Sequence, residues 1–159
     1  MALTDRLMQF TADHAHQIAE QWYQAVSTNT KTPAYRLMKK EVCIRHAEYI
    51  YQNLNKLFFA DNCESAVANL LDVGGFVEDH YARGIPYNQV IYAIILLRRH
   101  LWLYAEQQSL YNGIDDILQM QENVNRVLLL FDYMIYITAS KYHMIQDTFT
   151  ESKKIVPGH

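Results

Sequence analysis

Between Gly113 and Pro157 the chain carries neither glycine nor proline. The spacing predicts one helix from about Asp115 to Thr150, some 36 residues long. At about 1.5 Å per residue it spans about 54 Å, longer than a small domain is wide. Two apolar stripes run along it. One follows Ile117, Gln121, Val124, Leu128, Phe131, Ile135, Thr138, Tyr142, Ile145 and Phe149 in steps of three and four. The other follows Met120, Val127, Leu130, Met134, Ile137 and Met144. One subunit's core satisfies one stripe; the second calls for a partner, and the same helix of another copy is the simplest. The expected dimer interface is Val124, Val127, Leu128, Phe131, Met134, Ile135 and Tyr142.

The rest of the chain is helical in pattern too. Strand alternation and hairpin dipeptides are nearly absent. Three prolines and five glycines punctuate four further helices. The first is expected over about 5–26, with Leu3, Leu7, Phe10, His14, Ile18 and Trp22 on one stripe. The second opens at Thr32-Pro33, where proline suits the first helical position, and ends near Phe58–Phe59. The third starts near Asp61 with Glu64 as its capping pair, and ends at Gly84 as a C-terminal cap. Gly74-Gly75 falls in its middle, a cost that close approach of a backbone or ligand offsets. The fourth begins at Pro86 and runs to about Gln108; it is apolar nearly all round and should be the central, buried helix. The expected fold is all-α, a bundle of about five long helices with an extended last one. One domain covers 1–150 and a frayed tail covers 151–159.

Several function classes find no support. Fourteen Lys and Arg against 17 Asp and Glu leave a net charge of −3, so there is no basic nucleic-acid footprint. The longest apolar run, Val90 to Leu97, is far short of the ~20 residues of a membrane span. Cys43 and Cys63 stand apart as two reduced thiols, and a cytoplasmic location is expected. There is no phosphate loop, nucleophile elbow or HExxH, so an enzyme is not expected. His14 and His16 lie about 200° apart on a helix and cannot chelate together. Asp115 and Asp116 suit a helix N-terminus. Asp132 is read as exposed, and Arg98 and Arg99 as reaching the rim of their helix.

One segment has chemical content. The stretch FVEDHYARGIPYNQVIYAIILLRRHLWLY, with WYQAV and TPAY before it, resembles the N-terminal module of RsbR-family stressosome proteins. The resemblance implies a globin-like helical fold, a homodimer and a sensory role. The final helix would lead to an output domain, or to stressosome or kinase partners. The segment is also similar to globin-coupled oxygen sensors, in which a histidine precedes such a Gly-Ile-Pro joint. That likeness implies haem as cofactor, a diatomic gas as signal and His80 as proximal iron ligand. The implied pocket is Gly74, Gly75, Phe76, Val77, Ile91, Ile94 and Ile95, with Tyr49, His46 or Tyr51 as distal donor.

Overall fold

A computed structural model describes residues 3–108 and 114–155. The described residues form an all-α fold. In order they are α1 (Leu3–Asp13), α2 (Ala15–Thr28), a 3₁₀ turn (Pro33–Leu37), α3 (Lys40–Phe58), α4 (Cys63–Gly74), α5 (Phe76–Ala82), α6 (Tyr87–Gln107) and α7 (Ile114–Ile155).

Three of the expected helices are interrupted, each for a local reason. The first breaks at His14. Its Nδ1–H donates to the Phe10 carbonyl at 3.0 Å, and its ring stacks on Phe10. A side chain competing for a helical carbonyl perturbs the helix there. The second starts at Lys40 rather than Thr32. Thr32 caps no α-helix; its hydroxyl turns back and donates to the Val26 carbonyl at 2.6 Å. Pro33 then opens only the 3₁₀ turn. The third is two helices. Asn62, not Asp61, caps α4 by accepting from the Ser65 amide, and Gly75 takes φ +63° and ends it. Only glycine enters that left-handed region without a Cβ penalty.

The two neighbouring glycines have different duties. A Cβ on Gly74 would lie 2.9 Å from Tyr49 Cε1, so the ring of α3 packs directly on the α4 backbone. Gly75 has open space around it and is needed for its dihedral angles alone. At the far end of α5, Gly84 has φ +74°. The Ile85 amide reaches back to the His80 carbonyl and the Gly84 amide to that of Tyr81. This is a Schellman cap, and the expected role of Gly84 holds.

α6 packs on α2 and α7 with one face and is not buried all round as expected: Tyr87, Arg99 and Leu103 are exposed, and Ile91, Ile95 and Trp102 are half-buried. Val90, Ala93, Ile94, Leu97, Leu101 and Ala105 are buried, as the apolar run predicts. Two large aromatics fasten neighbouring helices to its backbone. Trp22 Nε1 of α2 donates to the Ala93 carbonyl at 2.9 Å, and the Tyr51 hydroxyl of α3 to Leu97 at 2.6 Å. Each ring is buried with its polar atom satisfied, as interior Trp and Tyr require.

The long last helix is longer than expected. Its 42 residues reach Ile155, past the end predicted near Thr150. Its inner face buries Val127, Leu130, Phe131, Met134, Ile137, Thr138 and Tyr142. The expected dimer set is therefore corrected: Val127, Phe131, Met134 and Tyr142 belong to the core of a single chain. Val124, Leu128 and Ile135 are half-buried. Leu118, Leu129 and Tyr136 are exposed on the opposite face. They are 11 and 7 residues apart, close to whole turns, so they form a line. Asp132 is exposed, as read, with Arg98 3.9 Å away. No helix among the described residues is long and apolar enough to cross a membrane. The Asn112-Gly113 turn, the side chains of Ile117 and Met120, and the tail beyond Ile155 lie outside the described residues.

Replacing Gly75 with alanine should destabilise the protein by about 1–2 kcal/mol, the cost of an L-residue in the left-handed region. A urea denaturation midpoint measures it, and Gly75→Asn should cost less than Gly75→Ala.

Candidate functional site

α5 is a seven-residue helix bracketed by two left-handed glycines, Gly75 and Gly84. This short piece turns Phe76, Val77 and His80 into the core while Glu78 stays exposed. His80 is 1% exposed. Its Nδ1 lies 2.7 Å from the Phe76 carbonyl, so Nδ1 must carry the proton and donate it. The lone pair is then on Nε2. That atom is buried and has no hydrogen-bond partner.

Three rings surround this imidazole. Phe76 lies 4.2 Å away between centroids, His46 of α3 5.4 Å and Tyr35 of the 3₁₀ turn 5.7 Å. Tyr35 is completely buried, stands edge-on to Trp22 at 6.1 Å, and also leaves its hydroxyl unpartnered. Burial holds that hydroxyl's pKa well above the ordinary tyrosine range.

A charged chain runs outward from the same place. His46 Nε2–H donates to Asp79 Oδ2 at 2.8 Å. Arg83, one turn on, donates from Nε to both Asp79 oxygens at 3.0 Å. Desolvation alone would raise the Asp79 pKa, but the His46 and Arg83 hydrogen bonds outweigh it and leave it lowered. For His80 desolvation dominates: its pKa falls to about 4, with the Phe76 bond opposing only in part. Burial likewise pushes the Cys43 thiol up to about 11, with Arg83 and Asp79 acting on it in opposite senses. A neutral imidazole thus sits beside an ionised carboxylate that a guanidinium holds.

α5 is also held by the last helix. The Tyr142 hydroxyl donates to the Ile85 carbonyl at 3.1 Å, and its ring meets that of Tyr81 at 5.4 Å. Lys141 bridges Asp72 of α4 and Glu78 of α5. Farther up, Arg126 donates to the Phe58 and Ala60 carbonyls at the end of α3.

The residues expected around His80 are only partly brought together. Phe76 stacks on it, and His46 is beside it. Val77 is buried on the same helix. Gly74 receives Tyr49 instead of a ligand, and Gly75 makes the turn. Tyr51 spends its hydroxyl on Leu97. Ile94 is buried in the central core, while Ile91 and Ile95 are half-buried on α6. Sequence reasoning missed Tyr35 and the Asp79–Arg83 pair. Only the four-residue spacing of the latter pair was visible.

The fit of a haem can be judged from these positions. An imidazole anchored through Nδ1 with Nε2 free is the right chemistry for an axial ligand. The space is not: the Tyr35, His46 and Phe76 rings occupy the volume around His80. A cavity of about 550 Å³ lies elsewhere, on the outer side of α3 between His16, Lys40, Ile44, Arg45 and Tyr49. The residues present do not fit a porphyrin at His80.

Comparison with protein-family models, curated proteins and solved structures finds no match for this chain.

The buried imidazole should make stability depend on pH. Because the folded pKa of His80 lies below the ordinary value of 6.5, the unfolded chain binds the extra proton. Stability is then full above pH 6.5 and falls as the pH drops towards about 4, by an amount on the order of 3 kcal/mol. Asp79, with its lowered pKa, adds loss in the same direction as acid is added below the carboxylate range. Urea titrations between pH 4 and 7 should show this slope, and it should flatten in His80→Gln. Separately, titration with haemin should produce no Soret band that depends on His80; a band abolished by His80→Ala would reverse the judgement of fit.

Proposed function

We propose that the chain is a regulatory input module of the RsbR type, binding and relaying rather than catalysing. It works in the cytoplasm as a homodimer and passes a signal through α7 to an output domain or a partner protein. The contact between α5 and α7 carries this reading. The short helix that buries His80 and the joint that follows it touch α7, with Tyr81 and Glu78 of α5 and Ile85 of the joint against Tyr142 and Lys141. A change in the packing of α5 is therefore felt about two-thirds of the way along a rod about 63 Å long by its helical rise.

Two features of the rod support the relay. Among described residues after Tyr142 none is buried, and Met144 and Phe149 are 65% and 57% exposed. This part projects past the bundle that holds it. The line of Leu118, Leu129 and Tyr136 supplies an outer apolar face along the same helix. In this reading two copies pair along that face and carry the relay together, in place of the corrected set. Differential binding worth about 1–3 kcal/mol between two packings of α5 is enough to bias such a pair.

Light scattering at micromolar concentration should give twice 18.7 kDa. The double variant Leu129→Glu with Tyr136→Glu should give a monomer with unchanged helical content. A monomeric wild type, or a double variant that still dimerises, overturns the pairing. Tyr142→Phe should leave the dimer intact but loosen α5, seen as faster amide exchange of its backbone.

A further inference from the structure

We propose that His46, Asp79 and His80 form a binding site for a divalent transition-metal ion. The three offer ligand atoms that all lie within 4.8 Å of one another. They come from two helices held in fixed register, His46 on α3 and the adjacent pair Asp79-His80 on α5. Two imidazoles and one carboxylate are the donor types of zinc and its first-row neighbours.

The orphaned nitrogen of His80 points to a ligand. Its Nδ1–H is spent on the Phe76 carbonyl, which fixes both the tautomer and the ring. What remains is a buried lone pair on Nε2 with nothing to accept. A buried acceptor without a donor is costly. A backbone carbonyl behind one ring nitrogen, with the other free, is also the usual outer support of a metal-binding histidine. Asp79 has a similar support, since Arg83 donates to both its oxygens and can keep one while the other turns to a metal.

The distances define what must move. Metal bonds of about 2.0–2.2 Å place neighbouring ligand atoms roughly 3.3 Å apart in a tetrahedron. His46 and Asp79 are now closer than that, at 2.8 Å, because a proton lies between them. An entering ion takes the Nε2 lone pair of His46 once that proton has moved to Nδ1, and it pushes the two groups slightly apart. The gap to His80, which is at most 4.8 Å, closes by up to about 1.5 Å. The fourth position falls to water. Asp79 and Arg83 side chains are 29% and 37% exposed, so an ion enters from their side. A single ion also fits where a macrocycle does not, since it needs no volume beyond the space between the three ligand atoms. The site does not depend on the regulatory reading.

The test is calorimetry of the full chain, stripped with a chelator and titrated with zinc chloride. One ion should bind per chain. His46→Gln, Asp79→Asn and His80→Gln should each weaken binding about 10–100-fold. His16→Gln and His143→Gln, which alter exposed histidines, should leave it unchanged. Cobalt in place of zinc should give the visible bands of a tetrahedral ion. The proposal fails if no saturable one-to-one binding is found, or if binding follows His16 and His143. Should His80→Gln fail to fold, the other two variants decide the matter.

Discussion

Two residues in the left-handed region govern the chemistry of this protein. Gly75 and Gly84 stop the backbone on either side of α5 and reduce it to seven residues. A continuous helix through this stretch would fix the side chains of α4 and α5 in one register. The break allows α4 to present Leu70 and Leu71 to the core while α5 independently presents Phe76, Val77 and His80. The Schellman cap adds a further tie, because the carbonyl it engages is that of His80 itself. Imidazole, cap and joint are thus one unit, and a displacement of the Gly-Ile-Pro joint is a displacement of His80.

Burying this unit is energetically opposed. A neutral imidazole with an idle lone pair gains nothing from the apolar rings around it, and its desolvation cost grows as the pH falls. Immediately outside it, the His46–Asp79–Arg83 chain is satisfied and charge-assisted, which is the stronger kind of hydrogen bonding. The fold thus holds an unsatisfied group against a satisfied one. Cores built only for stability place apolar residues in such a position, since replacing both partners of a buried polar pair is often neutral. A polar group kept there at a cost to stability marks a place where something else is gained.

The sequence made the long elements legible because their signals accumulate over many turns. The apolar surround of α6 and the unbroken run of α7 each rest on twenty or more residues, and both helices are present. The breaks rest on single hydrogen bonds. Nothing in the periodicity distinguishes a His14 imidazole that folds back onto Phe10 from one that points away. Thr32 before Pro33 has the composition of a cap, and only the tertiary position of the Val26 carbonyl decides otherwise. Gly74-Gly75 announced an exceptional backbone without revealing that one glycine receives a ring and the other makes a turn. His80 was legible through its place before the joint; Tyr35 was not, since it arrives from a 3₁₀ turn more than forty residues away.

The misassigned face of α7 has a physical origin as well. A helix packed in a groove between neighbours buries a broad arc, wider than the narrow seam of a two-stranded coil. The helix contacts α1, α3, α4, α5 and α6, and these draw in residues from both apolar stripes: Phe131, Thr138 and Tyr142 from one, Val127, Leu130 and Met134 from the other. Two adjacent stripes are then one wide face, and the surplus that argues for a partner must be sought on the opposite side. There Leu129 and Tyr136 alternate with Asp132 and Ser140, a mixed surface that associates more weakly than a continuous seam.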